Sequence, residues 1–238
     1  MKKKLLLGVI MLLMAAFAHA QKTYVLLTGI NNYGTGKNNL NFPVNDAKDL
    51  KQIFEHQGAI VALLTSKFVT KDNINKKLDA IIKLAKPEDK VIFFFSGHGG
   101  SDVFCCYRFQ EYHYSELALK LSKARTDKVF CFIDACHSGS AQYAVGASSG
   151  LDGVRPVFCM ASRPEEYSSE RFLVDNGIFT QALIKALRGK ADYDGNRAIT
   201  LMETFKYVHN DVIQRSANKQ HPQLAGNSAL FNTVITKW

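Results

Sequence analysis

The sequence predicts an α/β fold built on a mainly parallel β-sheet with helices on both faces. Short apolar runs alternate along the chain with helical patterns of about ten residues or more, and this alternation is typical of right-handed βαβ units. Runs such as 91–95 and 129–133 are continuously apolar, which indicates strands buried on both faces. In open sheets of this class, ligands bind beyond the carboxyl ends of the strands.

The first twenty residues have the pattern of a secretory signal peptide. Three lysines at 2–4 precede an apolar segment, and Ala18-His19-Ala20 is a small-x-small cleavage site. The apolar segment is short for a bilayer span, and Gln21 is not the cysteine of a lipoprotein. We therefore expect a cleaved leader at 1–20, one domain at 21–238, export to the periplasm or beyond, and no stable membrane anchor.

Apolar periodicity, capping residues and turn residues predict the elements in order. Pro43 opens the first helix and Gly58 follows its end, Thr70 caps the second, and Thr200 with Glu203 forms a capping box before the last. The predicted strands are 23–29, 59–64, 91–95, 128–133, 156–161 and 229–235. The predicted helices are 43–56, 71–85, 114–124, 177–187 and 201–212. Segment 101–112 is interpreted as a small hairpin, and segment 138–153 as a flexible loop.

Charge and cysteine content exclude some classes of function. The formal net charge is +9, but the lysines are spread along the chain, which is typical of a solvated surface and not of a nucleic-acid site. The sequence contains no Cys-x-x-Cys pair, so it does not predict a zinc site. Cys131 and Cys159 are interpreted as buried core residues, whereas adjacent Cys105 and Cys106 have no identifiable disulfide partner.

Two strand ends carry the residues that can do chemistry. The run 91–95 leads into Ser96-Gly97-His98-Gly99-Gly100, and the run 129–133 leads into Asp134-Ala135-Cys136-His137-Ser138-Gly139. Neighbouring parallel strands would bring His98 and Cys136 within reach at one edge of the sheet. A thiol beside an imidazole is an activated nucleophile, and the backbone amides of Gly99 and Cys136 are candidates for an oxyanion hole.

These two motifs resemble those of caspases and metacaspases, and are most similar to the bacterial metacaspase-like branch of peptidase family C14. Further matches are 40–47, 177–180, and Asp194-Gly195 followed by Ile199-Thr200, so the resemblance covers nearly the whole chain after the leader. It implies a caspase-like three-layer α/β/α sandwich with a six-stranded sheet, a catalytic base at His98 and a nucleophile at Cys136.

The resemblance also implies a substrate preference. Animal caspases cut after Asp, whereas metacaspases line the pocket for the substrate's P1 side chain with two Asp and a Ser, and the matching residues here are Asp46, Ser96 and Asp134. Two carboxylates near a nucleophile suit a cationic side chain on any fold. We therefore expect cleavage of proteins or peptides after Arg or Lys. The alternatives are a helix first-turn charge at Asp46 and a structural acceptor at Asp134.

Metal and phosphate motifs are incomplete in this sequence. Metacaspases often bind calcium through aspartates after the catalytic His, and that stretch offers mainly Asp102 and Glu111 here. We therefore predict no cofactor, with activation by calcium as the alternative. The run 192–195 resembles half a calcium loop, but its Gly comes too early, and a turn before a capped helix accounts for it. The run 29–37 resembles a P-loop, but its spacing fails.

Two other functional classes remain open at this point. One is a caspase-fold interaction module that has lost activity, although both His98 and Cys136 are present. The other is a gingipain- or clostripain-like peptidase, which would also cut after basic residues.

Overall fold

The computed structural model describes residues 21–147, 156–165 and 177–237; the predicted leader lies outside these residues, as does the end of the predicted loop at 148–153. The strands are β1 (Thr23–Gly29), β2 (Ile60–Thr65), β3 (Lys90–Ser96), β4 (Gly99–Gly100), β5 (Val103–Cys105), β6 (Glu111–His113), β7 (Val129–Asp134), β8 (Val157–Met160), β9 (Ala198–Thr200), β10 (Gln223–Ala225) and β11 (Val234–Lys237). The α-helices are α1 (Pro43–His56), α2 (Lys71–Leu84), α3 (Tyr114–Leu121), α4 (Ala141–Ala147), α5 (Ile178–Lys185) and α6 (Leu201–Arg215).

The central sheet has six strands in the order β10-β8-β7-β3-β1-β2. Five of them are parallel, and β10 pairs antiparallel with β8 at one edge. The predicted α/β class and the mainly parallel six-stranded sheet are confirmed. The structure also confirms that β3 and β7 are neighbours, with Ser96 opposite Asp134 at their carboxyl ends.

Alternate side chains of the buried strands enter two separate cores. On one face, Phe93, Phe95 and Ile133 pack with α2, α3 and α4. On the other, Phe94 and Phe132 pack with α1, α5 and α6. Because successive strand residues point to opposite faces, continuously apolar strands require a helical layer on each side, which gives three layers.

Helix starts follow the local sequence. Pro43 occupies the first turn of α1, where its missing N–H costs no hydrogen bond. The Thr70 hydroxyl accepts a hydrogen bond from the Asn73 amide at the start of α2. The predicted capping box is also present: Thr200 and Glu203 bond reciprocally before α6.

Two local predictions are wrong. The segment predicted as a loop from 138 forms a 3₁₀ turn followed by α4, because Ala141 and Ala144 lie on one face and are buried against the core. The predicted last strand is instead a 3₁₀ turn and then β11, which pairs with β9 outside the main sheet. The sixth strand of that sheet is β10, three residues long and directly after Pro222.

Candidate functional site

The loops after β3 and β7 touch each other at the carboxyl edge of the sheet. His98 and Cys136 each follow their strand by two residues, and both are half-buried. A Cβ on Gly99 would lie 2.4 Å from the Cys136 carbonyl oxygen and 2.9 Å from the Ala135 Cβ. The absence of a side chain at Gly99 therefore lets the two loops approach at this point, as the two sequence motifs predicted.

Cys136 lies where the chain leaves β7 and turns into a 3₁₀ segment. His137 has a φ of 55°, in the left-handed region, and its Nδ1 is 2.7 Å from the Pro164 carbonyl oxygen. A Cβ on Gly139 would lie 2.5 Å from the Ser162 carbonyl oxygen. The loop that carries Cys136 is thus held against the segment after β8 through His137 and Gly139.

The imidazole of His98 is oriented by a backbone carbonyl. Its Nε2 lies 2.7 Å from the Asn38 carbonyl oxygen. A carbonyl oxygen only accepts hydrogen bonds, so Nε2 carries the hydrogen in this contact, and Nδ1 of the neutral ring is left to exchange a proton. Asn38 lies in the loop between β1 and α1, with a φ of 58°, and sequence reasoning missed its role because a backbone acceptor leaves no side-chain signature.

The described cysteines differ in environment. None of the five forms a disulfide with another described residue. Burial raises the pKa of Cys131 and Cys159 above the ordinary range of a thiol, as expected for core residues. Burial also raises the pKa of Cys105 to about 11, with smaller contributions from Glu111 and Cys136, and that of Cys106 to about 12. These four thiols are poor nucleophiles near neutral pH.

The three residues of the predicted P1 pocket converge. Ser96 Oγ donates to Asp46 Oδ2 at 2.6 Å, and Ser96 is the register partner of Asp134. Their relative exposures are 1% for Asp46, 2% for Ser96 and 6% for Asp134. Two carboxylates from different elements are therefore buried close to the loops of His98 and Cys136.

Gly177 and Thr180, at the start of α5, join these carboxylates. The Gly177 amide donates to Asp46 Oδ1 at 3.1 Å, and the amide and hydroxyl of Thr180 donate to Asp134 Oδ2 at 3.1 and 2.7 Å. A Cβ on Gly177 would lie 2.8 Å from Asp134 Oδ2 and 3.6 Å from Asp46 Oδ2. The run 177–180 was recognised in the sequence only as a family match, and the structure shows that it donates hydrogen bonds to both carboxylates.

Among the described residues, one group of three acidic side chains could hold a metal ion. A ligand atom from each of Asp192, Asp194 and Glu203 lies within 4.8 Å of the others. The spacing matches positions 1, 3 and 12 of an EF-hand loop, and Arg197 at position 6 takes the positive φ that Gly has there. However, amides of the same loop and the capping box already bond these carboxylates. Asp102 and Glu111 belong to no such group in the described part of the chain.

A protein-family model matches the chain. The caspase domain model of peptidase family C14 matches residues 22–232, which is most of the chain.

Curated relatives match a shorter part of the chain. Metacaspase-1 of Debaryomyces hansenii is 36% identical over 89 residues, which cover 33% of this chain and 20% of the relative. Metacaspase-1 of Candida albicans is 38% identical over 84 residues, which cover 32% of this chain and 18% of the relative. The chain thus spans about a fifth of the length of the curated relatives that it matches.

A solved structure matches the fold. The crystal structure of protein GSU0716 from Geobacter sulfurreducens superposes with a TM-score of 0.68 and covers 91% of this chain and 99% of that chain. Sequence identity is 20%, so this likeness concerns the fold alone. Within the described residues, every helix is too short or too polar to cross a membrane.

Proposed function

The chain belongs to the caspase domain family, and we propose that it is an exported cysteine endopeptidase that cleaves after Arg or Lys. The observation that carries the proposal is the meeting of two strand ends. One edge of the sheet brings together a half-buried thiol, an oriented imidazole and two buried carboxylates.

In the proposed reaction, His98 and Cys136 act as a pair. Nδ1 of His98 takes the proton of the Cys136 thiol, and the thiolate sulfur attacks the carbonyl carbon of the scissile peptide bond. The resulting oxyanion is placed at the backbone amides of Gly99 and Cys136. The imidazolium then protonates the leaving amine, and water hydrolyses the acyl-enzyme with His98 as the base, which returns both residues to their starting states.

The proposed specificity follows from charge. Asp46 and Asp134 place two carboxylates in a region with little access to water, where the Coulomb interaction with a cation is stronger than at the surface. An Arg guanidinium can bond to both carboxylates at once, and a Lys ammonium can act as a point charge between them. An acidic P1 side chain would be repelled by the same groups.

Peptide hydrolysis tests both parts of the proposal. Fluorogenic peptides that differ only in a P1 Arg, Lys or Asp are offered to the wild-type protein and to Cys136→Ala. We expect cleavage of the Arg and Lys peptides by the wild type and of none by Cys136→Ala. Cys105→Ser removes the other half-buried thiol and is the matched control, which should keep the wild-type preference.

The outcomes separate the alternatives. Preferential cleavage after Asp would refute the pocket assignment and leave the dyad intact. No thiol-dependent hydrolysis by the wild type, under reducing conditions with or without calcium, would favour the interaction module. Residual hydrolysis by Cys136→Ala would show that another group is the nucleophile.

A further inference from the structure

A basic cavity lies at the opposite end of the sheet from His98 and Cys136. Its volume is about 530 Å³, and its lining includes Lys90, Lys128, Val234 and Lys237. Lys90 is the first residue of β3, Lys128 directly precedes β7, and Lys237 is the last residue of β11. The cavity therefore lies between the amino ends of β3 and β7 and the carboxyl end of β11.

The ammonium groups of this cavity contact neutral acceptors. Lys90 is only 8% exposed, and its Nζ donates to the Val234 carbonyl oxygen at 2.8 Å. Lys128 Nζ donates to the Glu88 carbonyl oxygen at 3.2 Å. Of the ion pairs between described residues, none includes Lys90, Lys128 or Lys237.

Burial and like charge make this arrangement costly without a counter-ion. The pKa of Lys90 is lowered to about 8 by burial first, and then by Lys237 and Lys128. An ammonium offers three donors, so the carbonyl of Val234 leaves Lys90 with further hydrogen-bonding capacity. An anion with several oxygens would both neutralise the charge and accept these hydrogen bonds.

We propose that the cavity of Lys90, Lys128 and Lys237 binds a phosphate-type oxyanion. The same chemistry is found in free inorganic phosphate and in the headgroup of an anionic lipid. Binding to the folded state alone would stabilise the protein by mass action.

Thermal unfolding in sodium phosphate tests the proposal against sodium chloride at equal ionic strength. At ten times the dissociation constant we expect a saturable rise in Tm of roughly 3 to 6 °C for the wild type. Lys90→Met should lose this rise, and Lys237→Met, which changes an exposed side chain, should weaken it. Lys77→Met, on the exposed face of α2, is the control and should keep it.

A second arm distinguishes the two sources of the oxyanion. If the wild-type protein sediments with phosphatidylglycerol vesicles but not with phosphatidylcholine vesicles, and Lys90→Met sediments with neither, the bound group is a lipid headgroup. A phosphate-dependent Tm rise without sedimentation would identify the free anion. Equal Tm rises in phosphate and chloride, or equal rises in the wild type and both Lys90→Met and Lys237→Met, would overturn the proposal.

A different set of contacts supports a second inference, about how His98 is held. The Tyr33 ring is fully buried, and its hydroxyl oxygen accepts a hydrogen bond from the His98 amide at 2.6 Å. The rings of Tyr33 and His98 have centroids 4.9 Å apart. Phe109 stacks on Tyr33 with centroids 4.5 Å apart and lies 5.7 Å from His98.

The backbone around Phe109 is strained in a way that this packing explains. Arg108 and Phe109 have φ values of 59° and 56°, and a non-glycine residue in the left-handed region costs about 1–2 kcal/mol. The Arg108 amide donates to the Tyr33 carbonyl oxygen at 3.0 Å. This conformation keeps the Phe109 ring against both Tyr33 and His98.

We infer that Tyr33 and Phe109 are positioning residues for the imidazole of His98; the inference rests on the proposed catalytic function of that residue. Tyr33 fixes the backbone of His98, the two aromatic rings restrict its side chain, and the Asn38 carbonyl fixes Nε2. Together these contacts would hold Nδ1 where the proposed proton transfer needs it.

Kinetics of Phe109→Ala, Phe109→Tyr and Tyr33→Phe test this inference. Phe109→Ala should lower kcat about 10- to 100-fold with little change in KM, and Phe109→Tyr should restore most of the loss. Tyr33→Phe, which keeps the ring and removes the acceptor of the His98 amide, should lower kcat less. Phe68→Ala, at an exposed aromatic, is the control and should keep the wild-type kcat.

Alkylation of Cys136 by iodoacetamide separates this inference from the proposed function. If His98 stabilises the thiolate, Phe109→Ala should shift the alkylation rate profile to higher pH. A wild-type kcat and a wild-type alkylation profile in Phe109→Ala would overturn the positioning function. Hydrolysis of no peptide by the wild type, with a shifted alkylation profile in Phe109→Ala, would refute the proposed function and keep the positioning of His98.

Discussion

The two ends of the same strands differ in charge and in how that charge is satisfied. β3 begins at Lys90 and ends at Ser96, and β7 begins after Lys128 and ends at Asp134. Because parallel strands align their amino ends at one edge and their carboxyl ends at the other, Lys90 and Lys128 lie at one edge, beside the buried Asp89, and Asp46 and Asp134 lie at the opposite one. The basic edge is the line of strand amino ends at Lys90 and Lys128, and the acidic edge is the line of strand carboxyl ends at Ser96 and Asp134.

The acidic edge is the better organised of the two. Donors from Ser96, Gly177 and Thr180 point at the carboxylates of Asp46 and Asp134. At the basic edge the ammonium groups of Lys90 and Lys128 donate hydrogen bonds to backbone carbonyl oxygens. Hydrogen bonds that fix a charged group before the ligand arrives are typical of functional sites, and this difference supports the proposed peptidase site at the acidic edge.

The largest expected effect concerns the proposed proton transfer. His98→Ala should lower kcat for an Arg peptide about 10²- to 10⁴-fold, the range typical of a lost general acid–base. His113→Ala, at an exposed histidine of β6, is the control and should stay near the wild type. Equal activity of the two variants would contradict the proposed catalytic function of His98 at the acidic edge.

The next largest effect concerns the carboxylates. Asp134→Asn keeps an acceptor for Thr180 but removes a charge, and kcat/KM for an Arg peptide should fall roughly 10- to 100-fold. Kinetics with Arg and uncharged P1 peptides measure the change, and the loss should be confined to the basic peptides. Asp72→Asn, exposed in the first turn of α2, is the control. An equal loss with both peptides would indicate a structural acceptor at Asp134.

A smaller effect is expected where α5 meets the pocket. Gly177→Ala places a methyl group 2.8 Å from Asp134 Oδ2, so the carboxylate or the start of α5 must shift. Displacement of this size costs about 1 kcal/mol, which corresponds to a rise of roughly fivefold in KM for an Arg peptide. An unchanged KM would show that the P1 side chain does not depend on the position of Asp134.

The last prediction concerns stability and not catalysis, as a pH dependence at the basic edge. Lys90 has a pKa of about 8 in the folded protein, against 10.5 for the ordinary side chain, so the unfolded chain binds more protons between these values. The free energy of unfolding of the wild type should therefore rise relative to that of Lys90→Met as pH increases from 8 towards 10.5. Urea unfolding at pH 7 and pH 10 measures this difference.

The discriminating result is whether the difference in unfolding free energy between the wild type and Lys90→Met changes with pH. A difference between the wild type and Lys90→Met that stays constant from pH 7 to pH 10 would contradict the lowered pKa of Lys90. In phosphate, the rise with pH should become smaller, because a bound anion favours the charged form of Lys90.

Local sequence predicted most of the secondary structure and failed where packing decides. The bounds of β1 and α1 were predicted from an apolar run, Pro43 and Gly58, because these signals act within a few residues. Strand β10 was missed because it is short and its residues are only half-buried. Helix α4 was missed because the sequence around it is rich in Gly and Ser, which is typical of loops. The burial of Ala141 and Ala144 that stabilises the helix is seen only in the folded structure.

The sequence by itself determined the parallel sheet, the neighbouring ends of β3 and β7, and the motifs that carry His98 and Cys136. Each of these depends on the periodicity or spacing of nearby residues, which a single chain displays directly. Only the tertiary structure decided that Asn38 orients His98, that Tyr33 and Phe109 enclose it, and that Lys90 and Lys237 share a cavity. These contacts join residues far apart in the chain through backbone atoms and packing, and neither leaves a pattern in the order of the amino acids.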